Sequence, residues 1–258
     1  MIDAGGLAHR IWIKAFGAAP AAGWPTLVLL DGNASVPLAS RLGEKEHAGP
    51  LLIVGIGYPE DDRQTIIRRR YRDLTSRASR DGIPTRDPQT SYETGGRDAF
   101  LAFLTDRVLP FVETLAPLGR TTLFGHSLAG HLAVNAVLTS RFPARSIVAA
   151  DPSVWWNRHD LMRDAEAFRQ TSLADHRGAV AHLRIMMAGR RLEREGLDAD
   201  ARRRIEMLRT GPGGADLAAR LSGDPRLVVS LSVHPEQTHG SIVRPAIDEA
   251  IRLAGMPG

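Results

Sequence analysis

The segment 122–130 contains the residues best suited to covalent chemistry. Ser127 stands between small residues two positions away on either side, Gly125 and Ala129. A short apolar run precedes it and an apolar helical pattern follows it. This order is typical of a nucleophile elbow, a sharp turn from strand to helix that exposes a serine hydroxyl. Ala129 replaces a usual glycine but is small. The alternative is a tight turn whose serine is inert.

A serine at neutral pH needs a general base, which is most often histidine. In hydrolases with this elbow the histidine comes late in the chain, after an acid. His239 follows the last predicted strand and precedes the last predicted helix, so its loop can fold back over Ser127. His234, at the end of that strand, is the alternative base.

The third group of such a site is a carboxylate, expected after the sixth predicted strand. Glu193 is the nearest candidate there, and Glu195 and Asp198 stand behind it. Asp151, directly after the fifth predicted strand, is a second location. The charge-rich stretch 190–204 also fits a solvated helix without a catalytic role. A Ser–His dyad without any carboxylate is a further alternative.

The reaction also needs donors for the oxygen that becomes negative in the tetrahedral intermediate. The backbone N–H of Leu128, the residue after the nucleophile, is one expected donor. A second comes from the loop after an early strand, where Asn33 is the candidate. The surrounding Asp-Gly-Asn sequence is otherwise typical of a simple turn.

Composition excludes several chemistries and partners. The 258 residues include no cysteine, which excludes disulfides, thiolate metal sites and a cysteine nucleophile. Of 33 basic residues only Lys14 and Lys45 are lysines. The arginines raise the calculated pI to about 10.1 although the net charge is only +4. Because they are spread along the chain, without a basic tail or a zinc or helix-turn-helix pattern, we expect no nucleic-acid partner.

No stretch approaches the ~20 continuous apolar residues of a membrane span, so we expect no membrane partner. Residues 18–23 are small and turn-like, unlike the apolar core of a signal peptide. The expectation is a cytoplasmic protein. A truncated N-terminus that once carried an export segment is the alternative.

Short apolar runs alternate with helical patterns along the chain. Most of the runs show no polar alternation, which is typical of strands buried on both faces of a parallel sheet. Strands are predicted at residues 11–16, 26–30, 51–55, 121–124, 147–150, 183–187 and 227–233. Helices are predicted at residues 97–115, 128–138, 161–168, 199–208 and 242–253. In the first of these, one apolar stripe is formed by Phe100, Leu104, Val108, Phe111 and Leu115. This alternation predicts a three-layer α/β architecture in one domain, 1–258, with irregular loop insertions around 58–94 and 190–225.

Taken together, these segments resemble the esterases that act on the ferric-siderophore trilactones enterobactin, salmochelin and bacillibactin, and related esterases. The resemblance covers nearly the whole chain. It is carried by Leu29-Leu30-Asp31-Gly32-Asn33, Gly55-Ile56-Gly57-Tyr58-Pro59, Arg70-Tyr71-Arg72-Asp73-Leu74-Thr75, Gly95-Gly96, the stretch 100–110, Gly125-His126-Ser127-Leu128-Ala129-Gly130, Pro152-Ser153-Val154-Trp155-Trp156 and His239-Gly240-Ser241.

The family implies an α/β-hydrolase fold, a mostly parallel sheet with helices on both faces, with Ser127 as nucleophile and His239 as base. Its third catalytic member varies, which leaves the role of Glu193 open. This chain departs from the pattern at Ala129, in an arginine-rich segment at 68–72, and at Asp151, where a serine is frequent.

The resemblance implies ester hydrolysis through an acyl-enzyme, without a metal or organic cofactor. If the substrate is an anionic ferric siderophore, Arg68, Arg69 or Arg70 are candidate contacts. Trp155 and Trp156 are candidates for an apolar wall. Each of these side chains has an alternative as packed core or solvated surface. A general short-acyl carboxylesterase or thioesterase, and a silent hydrolase fold that binds a siderophore or protein partner, are the competing functions.

Overall fold

The fold is seen in a computed structural model. It describes the chain except residues 5, 47–48, 80–82, 84–91, 173–179, 191–197, 201, 204–205, 207–209 and 257–258. Within the described part, no helix is long and apolar enough to cross a membrane.

One eight-stranded sheet forms the centre of the described structure. Its strands are β1 (Ile2–Ala4), β2 (Leu7–Phe16), β3 (Trp24–Leu29), β4 (Leu51–Gly57), β5 (Leu118–His126), β6 (Ser146–Ala150), β7 (Ala181–Ala188) and β8 (Leu227–His234). Their order is β1-β2-β4-β3-β5-β6-β7-β8. β2 runs antiparallel to both β1 and β4, and the remaining pairs are parallel. The sheet is therefore mostly parallel.

Helices cover both faces of the sheet. They are α1 (Gly32–Glu46), α2 (Arg63–Leu74), α3 (Arg97–Phe103), α4 (Leu109–Glu113), α5 (Leu128–Leu138), α6 (Trp156–Gln170), α7 (Gly214–Leu221) and α8 (Val243–Ala254). Helices α1 and α8 pack on one face, and α3 to α7 with the end of α2 pack on the other. Strands such as β4 are buried along their whole length, because helices cover both faces of the sheet. The apolar side chains on each face therefore form a separate cluster.

All seven predicted strands are confirmed, and β1 is a further strand that the sequence did not reveal. The prediction of irregular structure was wrong for two parts of the long insertions. The 58–94 stretch contains α2, and the 190–225 stretch contains α7. The sequence pattern did not show α2 because five of its twelve residues at 63–74 are arginines, which obscure an apolar stripe. The helix predicted at 199–208 lies partly outside the described residues.

The helix predicted at 97–115 forms, but its buried stripe is not the predicted one. Phe100, Leu104 and Val108 are buried as expected, whereas Phe111 and Leu115 are 42% and 62% exposed. A five-residue π-helical turn, Leu104–Val108, separates α3 from α4. The extra residue of a π turn rotates everything after it by about 100°. Leu109 and Val112 therefore face the core instead.

Candidate active site

The candidate site lies where the parallel strands end. Because carboxyl ends of parallel strands meet at one edge of a sheet, residues that follow neighbouring strands come together there. Ser127 directly follows β5, and Asp151 directly follows β6. His126 and Ala150 are partners in the ladder between these strands, so the two following residues lie side by side.

Ser127 has the backbone of a nucleophile elbow. Its φ of 60° and ψ of −118° are a strained conformation for a residue with a side chain. Its N–H donates to the carbonyl oxygen of Ala150 at 3.0 Å, which ties the turn to β6. A side-chain carbon at Gly125 would lie 2.1 Å from the carbonyl oxygen of Ala129, so the turn needs glycine there. The methyl group of Ala129 is fully buried, and the elbow forms around it.

His239 contacts both of the other groups. Its Nε2 lies 3.1 Å from Ser127 Oγ, and its Nδ1 lies 2.5 Å from Asp151 Oδ2. The carboxylate requires a proton on Nδ1, which leaves a lone pair on Nε2 facing the serine. His234, the alternative base, instead places its Nε2 3.0 Å from Ser232 Oγ. The geometry thus favours His239.

The carboxylate that contacts His239 is Asp151, the second location considered from the sequence. Glu193, the first choice, lies outside the described residues, and so does Glu195. The Asp151 side chain is 18% exposed and its backbone φ is 41°. The sequence signal for Asp151 is its departure from the family pattern, because this chain has an aspartate at a position where the family frequently has a serine.

Two helices begin beside this contact chain. α5 begins at Leu128 and α1 begins at Gly32, next to Asn33. The first N–H groups of a helix have no intrahelical acceptor, so those of Leu128 and Asn33 are suited to hold an oxyanion. The Asn33 side chain binds the backbone of Tyr58. Its Nδ2 donates to the Tyr58 carbonyl at 2.9 Å, and its Oδ1 accepts from the Tyr58 N–H at 2.8 Å.

Arg70 forms an ion pair with Asp31. Its Nε and one Nη donate to the two oxygens of Asp31 at 2.7 and 2.8 Å. Burial works against the charge of Arg70, but the Asp31 carboxylate outweighs it and raises the pKa of the guanidinium. Asp31 has a φ of 54° and directly precedes α1. Arg70 therefore stabilises the turn that carries Asn33. The sequence did not suggest this structural role. Arg68 is exposed on α2.

The two tryptophans differ in their surroundings. Trp156 is fully buried, and its Nε1 donates to Ser76 Oγ at 3.2 Å. The prediction that Trp156 contacts substrate is therefore wrong, because its ring packs near Tyr71 inside the protein. Trp155 is half-buried and meets Trp156 edge-on with 5.8 Å between the ring centroids.

His126 is a site residue that sequence reasoning missed, although it stands in the elbow motif. Its Nε2 lies 2.7 Å from the carbonyl oxygen of His239, and the two ring centroids are 4.5 Å apart. Burial, followed by the nearby His239, lowers the pKa of His126 to about 4. His126 is therefore neutral at pH 7, and its Nε2–H donates to the backbone of the His239 loop.

A family model named Esterase, with the description "Putative esterase", matches residues 15–206. The chain belongs to this Esterase family. Two relatives are each 31% identical to it. A siderophore enterobactin esterase of Emericella nidulans aligns over 86% of this chain and 79% of its own length. A siderophore triacetylfusarinine C esterase of Aspergillus fumigatus aligns over 89% and 80%.

The fold comparison agrees with this family membership. The siderophore hydrolase EstA from Aspergillus nidulans has a TM-score of 0.78 and 26% sequence identity to this esterase. The match covers 97% of this chain and 95% of that one. The chain is thus a serine esterase with the α/β-hydrolase fold.

Proposed function

We propose that this esterase hydrolyses siderophore esters through an acyl-enzyme on Ser127. One observation carries the chemistry: Ser127, His239 and Asp151 form a continuous contact chain at the ends of the strands. The substrate class is supported by the two relatives described above, whose names are those of siderophore esterases.

The reaction follows from the proton positions. The Ser127 hydroxyl transfers its proton to His239 Nε2 while its oxygen attacks the ester carbonyl. The N–H groups of Leu128 and Asn33 hold the negative oxygen of the tetrahedral intermediate. The proton on Nε2 passes to the departing alcohol. Water then gives a proton to Nε2 and attacks the acyl group, and Ser127 recovers its proton when the acid leaves.

Asp151 orients His239 and stabilises its charged form, so this carboxylate should matter more than Glu193. We expect Asp151→Asn to lower kcat by roughly 10² to 10⁴, because the amide favours the wrong imidazole tautomer. The measurement is p-nitrophenyl butyrate hydrolysis, with Glu193→Gln as the matched control that keeps wild-type kcat. A large loss in Glu193→Gln with an unaffected Asp151→Asn would reverse the assignment. Full activity in both would indicate a Ser–His dyad.

The substrate class is tested by HPLC after incubation with ferric and iron-free enterobactin and triacetylfusarinine C. We expect ring-opened or fragmented products with the wild type, and intact siderophores with Ser127→Ala. Hydrolysis of p-nitrophenyl butyrate alone would support the general esterase or thioesterase alternative. Siderophore binding without hydrolysis of any ester would support the silent binding protein.

Contacts to the substrate beyond the acyl group are a further part of the proposal. We propose that Arg68, which is exposed on α2, and Trp155, which is half-buried, contact the bound siderophore. Arg70 contributes through its hold on Asp31. The cytoplasmic location stays a prediction, which fractionation of the source cells tests.

A further inference from the structure

Ser153 lies against the side chain of the nucleophile. It belongs to the turn that follows Asp151, and it is 1% exposed. Its Oγ is 3.3 Å from Ser127 Oγ. Nothing in the mechanism above uses this hydroxyl, although it is adjacent to the atom that attacks the ester.

The backbone of Ser153 is held on both sides. Its N–H donates to the Ser127 carbonyl oxygen at 3.1 Å. Its own carbonyl oxygen accepts from Nδ1 of His131 at 3.1 Å and from the Trp156 N–H at 3.1 Å. Because a carbonyl oxygen can only accept, buried His131 carries the proton of this bond on Nδ1. These bonds fix the backbone of Ser153 beside Ser127, and its side chain is buried there.

The hydrogen bonds from Asp151 through His239 to Ser127 have one consistent set of directions. The Asp151 carboxylate accepts a hydrogen bond from Nδ1–H of His239, so Nε2 is an acceptor and the Ser127 hydroxyl must donate to it. The single proton of the Ser127 hydroxyl is then used in this hydrogen bond, and Ser127 Oγ can only accept further hydrogen bonds through its lone pairs. A buried hydroxyl needs a partner for its own proton, so Ser153 donates and Ser127 Oγ accepts.

We propose that Ser153 is a further catalytic residue, which donates a hydrogen bond to Ser127 Oγ while that oxygen carries negative charge. The inference rests on the proposed role of Ser127. In acylation the charge develops as the Ser127 proton leaves for His239 Nε2 and the bond from Oγ to carbon forms. In deacylation it returns as that bond breaks and Oγ takes the proton back. Ser153 keeps its own proton throughout, and the fixed donor stabilises both transition states.

Ser153→Ala tests the proposal. We expect kcat for p-nitrophenyl butyrate to fall about 5- to 10-fold with KM unchanged within about twofold, as for the loss of one neutral hydrogen bond in the transition state. Phosphonylation of Ser127 by a fluorophosphonate should slow by a similar factor. Ser146→Ala is the matched control, because Ser146 is another buried serine at the opposite end of β6.

A purely structural role would give different results. Ser153→Cys keeps a similar size with a weak S–H donor, so we expect its kcat to lie between those of the wild type and Ser153→Ala. Two outcomes overturn the proposal: wild-type kcat and labelling rate in Ser153→Ala, or losses that follow a lowered Tm and a raised KM. If Ser127→Ala is itself fully active, the proposed function fails instead.

Discussion

The rings of His126 and His239 lie side by side, and the ring of His126 is neutral near pH 7. The pKa of His126 is lowered to about 4 from its ordinary 6.5, by burial first and by His239 second. Between these two values the unfolded chain binds a proton that the folded chain excludes. The free energy of unfolding therefore falls as the pH drops from 6.5 to 4.

We expect His126→Gln to flatten this pH dependence, because glutamine does not titrate and can still donate to the His239 carbonyl. Urea unfolding between about pH 4.5 and 7 gives the slope. His182→Gln, which removes an exposed histidine of β7, serves as the control and should keep the wild-type slope. Equal slopes in all three proteins would contradict the buried, neutral state of His126.

Some residues of the candidate site could be predicted from the sequence and others could not, for a physical reason. Ser127 and His239 are fixed by local patterns, a strand–turn–helix segment and a position after the last strand. The contact of Asp151 with His239 depends on β6 being the neighbour of β5, which is a matter of strand order. The burial of Trp156 depends on packing against Tyr71, from a helix that the sequence pattern did not show.

At the level of the elements, continuous apolar runs located the strands well because both faces of the central sheet are covered. The helices were harder to predict from the sequence. The charged surface of α2 hides its buried side, and the π turn Leu104–Val108 breaks the regular spacing on which a helical stripe is recognised.

This π turn leads to a test by deletion. Removing Asp106, an exposed residue of the turn, should leave a regular α-helix in which Leu109 and Val112 still face the core. We expect the Tm to fall by no more than about 5 °C. Deleting the exposed Asp248 from α8 is the control, since it rotates buried Ala250 and Ile251 by about 100°. A larger loss for the Asp106 deletion than for the control would show that the π turn is required.

At the scale of the whole molecule, some of the arginines have buried partners inside the protein. Arg69 is buried against Glu60 and the Tyr58 ring, and Arg226 is paired with Asp224 and packs on Phe168. Such residues stabilise the fold through planar contacts to carboxylates and rings, and lysine would not replace them equally. The high pI therefore reports composition more than a surface for polyanions.

Nucleic-acid binding should accordingly be weak and sensitive to salt. With a fluorescent 20-base-pair duplex, we expect any anisotropy change seen at about 20 mM salt to disappear by about 150 mM. Lysozyme, a small basic protein, provides a comparison for charge alone. A micromolar Kd that persists at the higher salt would contradict the expectation.

The position of Asp151 has a consequence for how such an enzyme can diversify. Among the described residues, the contact chain to Ser127 draws on the ends of β5 and β6 and on the loop before α8, while the stretch between β7 and α7 contributes none of its members. On the proposed assignment of Asp151, we expect changes in the length or sequence of that stretch to leave proton transfer intact. It is thus the natural place to graft a new recognition loop when the acceptable ester is to be changed.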